Sequence, residues 1–395
     1  MVKHKLYVGD NYAVLDMLIE EKFKVDMIYI DPIYHAQNHY FKKYNDNEKL
    51  WFTTLVRKIK KSTELLKDDG LIFISIGDDQ VCKLRLACDK MFGDDNRIAM
   101  IAVKTPNQTE GLNVIKNTEY LLIYGMGSDS KLHFEEKDQE ARCTTGRYGQ
   151  AIQSIDIPAG VSVEKVADGI YRNKDIKRTG GYEDVELTNG PIVVENGRLK
   201  NGITLRCRWS CPKDVRAWAN KIKNGSTEPI YNKYGKELTE FYLWSERFQP
   251  RMKKKGFKKI PTTWDQYLTK GKNELTDIIG KHDFSYPKSV EFVKDIIKLG
   301  TGKDDAVVLD YYAGSGTTLQ AVAEINQEDG KNIKAILVTN NENGIVDKIT
   351  KPRIEALQTG IRPDGSKYSE GMDFEYEKID IDDESIYYDM PSVEN

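Results

Sequence analysis

Cysteine and histidine are both scarce in this chain, at five residues each in 395. The cysteines, Cys82, Cys88, Cys143, Cys207 and Cys211, are odd in number and scattered, which excludes a disulfide framework and predicts reduced thiols. Cys207 and Cys211 lie four apart, but no further Cys or His stands near them to complete a zinc site, and His282 is distant. No metal is therefore expected. Apolar runs long enough to span a bilayer are also missing, so no membrane segment is predicted. The opening residues Met1-Val2-Lys3-His4-Lys5 lead into a strand pattern and lack the apolar core of a secretory signal, which makes the cytoplasm the expected compartment. There is no G-x-x-x-x-G-K-[ST] phosphate loop, no internal repeat and no low-complexity segment.

What is present is a composition ordinary for a large globular enzyme, 39% hydrophobic and 31% charged, with a length suited to two or three domains. The net charge of -3 hides an asymmetry. Residues 201–275 carry 17 Lys and Arg against 7 Asp and Glu, whereas residues 361–395 carry 3 against 11. A basic central block in an acidic protein is the sequence footprint of a polyanion-binding face, because phosphate contacts dominate non-specific nucleic-acid affinity.

The first third alternates strand and helix patterns. Lys5–Val8, Val25–Ile30 and Leu71–Ile76 read as strands, and Tyr12–Glu20, Trp51–Leu66 and Gln80–Phe92 as helices, with Asp68-Asp69-Gly70 stopping the second helix. Two more strands follow at Ile98–Val103 and Tyr120–Tyr124. Beyond Gly125 the pattern loosens, and it returns at Ser289–Leu299, Ala306–Leu309, Thr318–Asn326 and Ala335–Thr339. Several strands are apolar throughout, which predicts an α/β fold with a mainly parallel sheet covered on both faces and built from both ends of the chain.

Two short stretches carry the chemistry. Asp31-Pro32-Ile33-Tyr34 ends a buried strand. Its carboxylate and proline carbonyl could both accept hydrogen bonds from an exocyclic amine of a nucleobase, whose lone pair is delocalised and needs orienting toward a methyl sulfonium. Tyr34 could stack on a base taken out of the duplex. The same four residues also read as a plain turn after a strand. Nearly three hundred residues later, Asp310-Tyr311-Tyr312-Ala313-Gly314-Ser315-Gly316-Thr317-Thr318 joins a strand to a helix. Its glycines would let the backbone approach a nucleotide-like cofactor, though a tight connection with no ligand would look similar.

Together these residues resemble a β-class amino-methyltransferase of DNA, most of all the modification (Mod) subunit of type III restriction-modification systems. That group is similar in placing a D-P-P-Y-type motif before an F-x-G-x-G-type S-adenosylmethionine motif, with target recognition between them. Leu6-Tyr7-Val8-Gly9-Asp10-Asn11 resembles its opening segment, Phe284-Ser285-Tyr286-Pro287-Lys288 its F-x-x-P-K segment, and Ile336 to Asn343 followed by Lys351-Pro352-Arg353-Ile354 is typical of Mod chains. The resemblance covers residues 1–130 and 265–360. It departs at Ile33, where the family has a second proline, at Tyr312, where it has Phe, and at Thr339-Asn340-Asn341-Glu342, where an acidic ribose ligand is usual.

The resemblance implies a Rossmann-like class I methyltransferase sheet with circularly permuted motif order and an inserted target-recognition domain. Its expected parts are residues 1–130 and 265–360 for the methyltransferase domain, 131–264 for the insert, and 361–395 as an acidic extension. It implies catalysis by Asp31, Pro32 and Tyr34. It implies S-adenosyl-L-methionine held by Asp10, Asp31, Phe284, Pro287, Lys288, Asp310, Ala313, Gly314, Ser315, Gly316, Thr317 and Asn340. Asp at position 31 favours adenine N6 as acceptor; cytosine N4, or a degenerate DNA-binding relative marked by Ile33, are the alternatives. Double-stranded DNA is the expected partner, with a homodimer and a restriction (Res-type) subunit also implied. Arg247, Arg251, Lys253, Lys254, Lys255, Lys258 and Lys259, with Phe248, Phe257 and Trp264 nearby, are the candidate DNA-binding cluster.

Overall fold

The computed structural model describes residues 2–32, 48–108, 113–134, 136, 138–147, 149–257, 259–267 and 270–381. The chain divides into two compact units, Met1–His133 with Ile260–Asn395, and Phe134–Lys259. The first unit holds a nine-stranded sheet. Its strands are β1 (Lys3–Val8), β2 (Val25–Ile30), β3 (Leu66–Gly77), β4 (Arg97–Gln108), β5 (Lys116–Gly125), β6 (Thr263–Trp264), β7 (Val307–Asp310), β8 (Lys334–Thr339) and β9 (Glu375–Asp380). They lie in the spatial order β6-β4-β5-β3-β2-β7-β8-β1-β9. Neighbours run parallel except at β5, which is antiparallel to both β3 and β4. This is a mainly parallel, Rossmann-like α/β sheet built from both ends of the chain.

The apolar runs explain the layering. Every residue of β2 is buried, and β8 is buried after its first residue, as befits strands covered on both faces. Alternate residues then feed two cores. Tyr7, Ile336 and Val338 pack with Val14, Leu15 and Leu18 of helix Asn11–Glu20, Leu55 and Ile59 of helix Glu48–Ser62, and Leu84 of helix Asp78–Phe92. On the opposite face, Leu6 and Leu337 pack with Leu275 and Ile278 of helix Lys270–Ile279, Leu319 of helix Thr317–Asp329, and Leu357 of helix Lys351–Thr359. Burial of a Leu or Ile side chain stabilises by roughly 1.5–3 kcal/mol, so each helix is held mainly by this stripe.

Three stretches depart from the sequence reading. β3 starts at Leu66, not Leu71: Val25 pairs with Leu66 but Met27 with Leu71, so the intervening residues form an irregularity instead of a helix stop. Gly70 fits there because a Cβ would lie 2.9 Å from the Lys67 carbonyl. The acidic extension also differs, since Glu375–Asp380 supplies β9, the parallel edge strand beside β1. Finally, the segment without clean alternation is β-rich. The second unit contains a three-stranded and an eight-stranded sheet plus helix Pro212–Lys223, around a core that includes Leu205, Trp209, Leu243 and Phe248. Its strands are two to eight residues long, too short for a periodic signal.

Candidate functional site

Parallel strands all present their C-terminal ends to one edge of the sheet, and in such folds ligands bind where the strand order reverses. Here the reversal falls between β2 and β7. At that edge β1 leads into Gly9 and Asp10, β2 into Asp31 and Pro32, β7 ends at Asp310, and β8 leads into Asn340; all of these line a cavity of about 460 Å³ within the first unit. β5 runs the other way, so its early residues reach the same edge. Glu119 pairs with Gly77 at the end of β3 and also lines the cavity.

Asp31 and the glycine-rich turn, remote in sequence, thus face one space. Lys288 Nζ lies 3.1 Å from Asp31 Oδ1 and 2.8 Å from Glu119 Oε2, with all three side chains largely buried. Beneath them the Tyr29 hydroxyl and Ser75 Oγ share a hydrogen bond of 3.2 Å, and burial together with the Asp31 charge pushes the Tyr29 phenol well up. Asp310 accepts from the Tyr312 backbone N–H at 3.0 Å and from Thr318 Oγ1 at 2.5 Å. Burial, with a contribution from Asp31, nevertheless raises its carboxyl to about 7.

The turn itself is built from glycine geometry and one buried cation. Gly314 has φ 48° and Gly316 φ 78°, left-handed values that disfavour side chains. Gly316 is the N-cap of helix Thr317–Asp329. Arg353, fully buried, donates from one guanidinium nitrogen to Ser315 O at 3.2 Å, Ser315 Oγ at 3.2 Å and Thr317 Oγ1 at 2.8 Å, and from Nε to Gln320 Oε1 at 2.8 Å. Thr350 Oγ1 donates to Gly314 O at 2.7 Å. Burial lowers the Arg353 guanidinium to about 10.

Of the sequence-predicted residues, Asp31 and Pro32 line the cavity, while Tyr34 lies outside the described residues. Asp10, Phe284, Pro287 and Lys288 line it, as do Asp310, Ala313, Gly314, Ser315, Thr317 and Asn340. Gly316 is not in the lining and acts as the helix cap behind it. Asp10 also caps helix Asn11–Glu20 by accepting from Tyr12 N–H at 2.8 Å. Sequence reasoning missed Glu119, Trp51 and the buried Lys58, all in the lining, and the support from Arg353. The segment Lys351-Pro352-Arg353-Ile354 was visible as a motif, but only tertiary structure shows what its arginine holds.

The basic cluster lies on the second unit. Arg251 pairs with Glu140 at 2.7 Å and stacks over Trp244 at 4.4 Å, Lys253 pairs with Glu240 at 2.8 Å, and Lys255 with Glu237 at 2.7 Å. Arg247 and Lys259 are exposed, Lys254 is partly buried, and Lys258 lies outside the described residues. Phe248 is a core residue of this unit and Trp264 of the first, so neither offers a flat surface to a ligand; Phe257 is exposed. Despite its internal ion pairs the unit keeps 25 Lys and Arg against 17 Asp and Glu over residues 134–259.

The profile of a DNA methylase family matches residues 25–351 of the chain. Among curated relatives, the type II methyltransferase M.KpnI of Klebsiella pneumoniae is 30% identical over 95% of this chain and 90% of its own length. The type III StyLTI Mod subunit of Salmonella typhimurium is 27% identical over 99% of this chain, and the type III EcoPI Mod subunit of Escherichia phage P1 is 27% identical over 82% of it. The chain spans 62% and 55% of the length of these two Mod subunits.

Proposed function

The chain belongs to the DNA methylase family, and from that premise we propose that it transfers a methyl group from S-adenosyl-L-methionine to the N6 amine of adenine in duplex DNA, as the modification component of a restriction-modification system. The observation that carries the reading is the shared cavity of Asp31, Pro32 and the glycine-rich turn at the strand-order reversal.

The cavity fits the cofactor in size and chemistry. About 460 Å³ lies within the usual range for such ligands. A Cβ at Gly314 would come within 3.7 Å of Phe284 Cζ, so the glycine keeps a gap between backbone and ring. Carboxylates at Asp10 and Asp310 and the amide of Asn340 offer acceptors and donors for the polar groups of a nucleoside and an amino acid. When bound, the cofactor would supply an electrophilic methyl sulfonium. Asp31 Oδ and the Pro32 carbonyl would accept from the target amine, orient its lone pair and stabilise the positive charge it develops. The base would have to leave the duplex to reach them.

Asp31 favours adenine over cytosine N4, and the names of the Mod relatives, subunits of type III restriction-modification enzymes, support a type III setting with a Res-type partner; a homodimer and a cytoplasmic location complete the proposal. Among the described residues no helix is long and apolar enough to cross a membrane. Tritiated cofactor and mixed duplex DNA test the reading. Label should appear in N6-methyladenine, and Asp31→Ala should lower turnover by about a thousandfold or more while cofactor affinity changes less. Label in N4-methylcytosine would replace the acceptor, and absence of label would leave a DNA-binding relative.

A further inference from the structure

We infer that Glu119 is a positioning residue for the reaction proposed above, an inference that rests on that reading. The observation is a shared ammonium. Lys288 Nζ is held between Asp31 Oδ1 at 3.1 Å and Glu119 Oε2 at 2.8 Å, and the three residues arrive from the end of β2, from the reversed strand β5 and from the segment before helix Val290–Gly300. Their side chains are 19–24% exposed, so water screens them only in part.

The physical argument concerns sign. Asp31 has to present negative charge to an amine that becomes positive as the new bond forms. A lone ammonium at hydrogen-bond distance would steady the carboxylate but cancel most of that charge. Glu119 on the other side of the ammonium returns the group of three to a net charge of -1. It also divides the ammonium between two acceptors, so Lys288 can orient Asp31 without neutralising it. Glu119 acts through Lys288 and is not a catalytic residue.

Glu119→Gln keeps the shape and an acceptor oxygen while removing the charge. The turnover number should fall by about 10–100-fold with the KM for DNA and the unfolding midpoint nearly unchanged. The ratio of affinities for S-adenosylmethionine over the uncharged thioether S-adenosylhomocysteine, measured by calorimetry, should fall by about fivefold, a readout independent of turnover. Glu119→Asp keeps the charge and leaves Lys288 in place, and it should turn over faster than Glu119→Gln. An unchanged affinity ratio, or a Glu119→Asp variant no faster than Glu119→Gln, overturns the inference while cofactor binding by the unaltered protein leaves the parent reading standing. If the unaltered protein binds neither compound, the cofactor reading falls and takes this inference with it.

Discussion

Arg353 sits at 0% exposure and spends its hydrogen bonds on the glycine-rich turn and Gln320 rather than on a carboxylate. A buried cation is costly, and Nη2 of this one has no hydrogen-bond partner among the described residues, so the bonds from Nε and Nη1 are what hold it to the turn. Arg353→Met should lower stability by about 2–4 kcal/mol in urea unfolding and weaken S-adenosylmethionine binding by about tenfold, since Ser315 and Thr317 lose a common anchor. Binding unaffected by the substitution would mean the turn holds itself. Asp310 makes a second residue-level test. Its carboxyl is raised to about 7, so the folded chain holds a proton there that the unfolded chain releases near pH 4, and stability from this group declines as pH rises across that window. A cationic ligand favours the ionised form. Binding of S-adenosylmethionine should therefore release a proton near neutrality and tighten by about tenfold from pH 6 to pH 8. An Asp310→Asn variant should lose that slope, and a flat profile in the unaltered protein would contradict the assignment.

At the level of elements, β5 earns its importance by direction: only a strand running against its neighbours can bring Glu119, near its start, to the edge where the others finish. β9 matters for a different reason. Phe374, just before it, packs edge-on against His4 of β1 with ring centroids 5.5 Å apart, while His4 Nδ1 accepts from the Ala335 N–H of β8 at 3.1 Å. Burial, with the Lys334 charge, lowers the His4 imidazole to about 4. The unfolded chain then takes up a proton that the folded one refuses, so this stability is intact above about pH 6.5 and is lost as pH falls toward 4, by up to about 3 kcal/mol. A His4→Gln variant should show a flatter dependence of its urea midpoint between pH 7 and 5; an equal slope would assign the acid loss elsewhere. The elements differ in how far the sequence announces them. β2 and β8 are legible because two-sided burial demands uninterrupted apolar residues. β9 is not, because an edge strand reading Glu-Tyr-Glu-Lys-Ile-Asp borrows its order from β1. Likewise Asp31 and Gly314 stand out as motifs, whereas Glu119 and Arg353 acquire meaning only through residues more than thirty positions away.

Over the whole molecule the charges separate by unit. Residues 134–259 sum to +8, leaving -11 for the rest of the chain. If the basic unit supplies about four phosphate contacts, DNA affinity should drop by roughly a hundredfold between 50 and 200 mM salt. Lys259→Ala should reduce the slope of that dependence by about one, and Lys253→Ala, whose ammonium is already bridged to Glu240 and Glu164, by less. Equal effects would indicate that the bridges open on binding. A different consequence follows from the strand order. Among the described residues β1 pairs with β8 and β9, which lie more than 320 residues later. At a synthesis rate of about 5–20 residues per second, β1 waits roughly 16–65 seconds for β8 to be translated. Until then Leu6, Tyr7 and Val8, all buried in the folded chain, lack the strand that pairs with them.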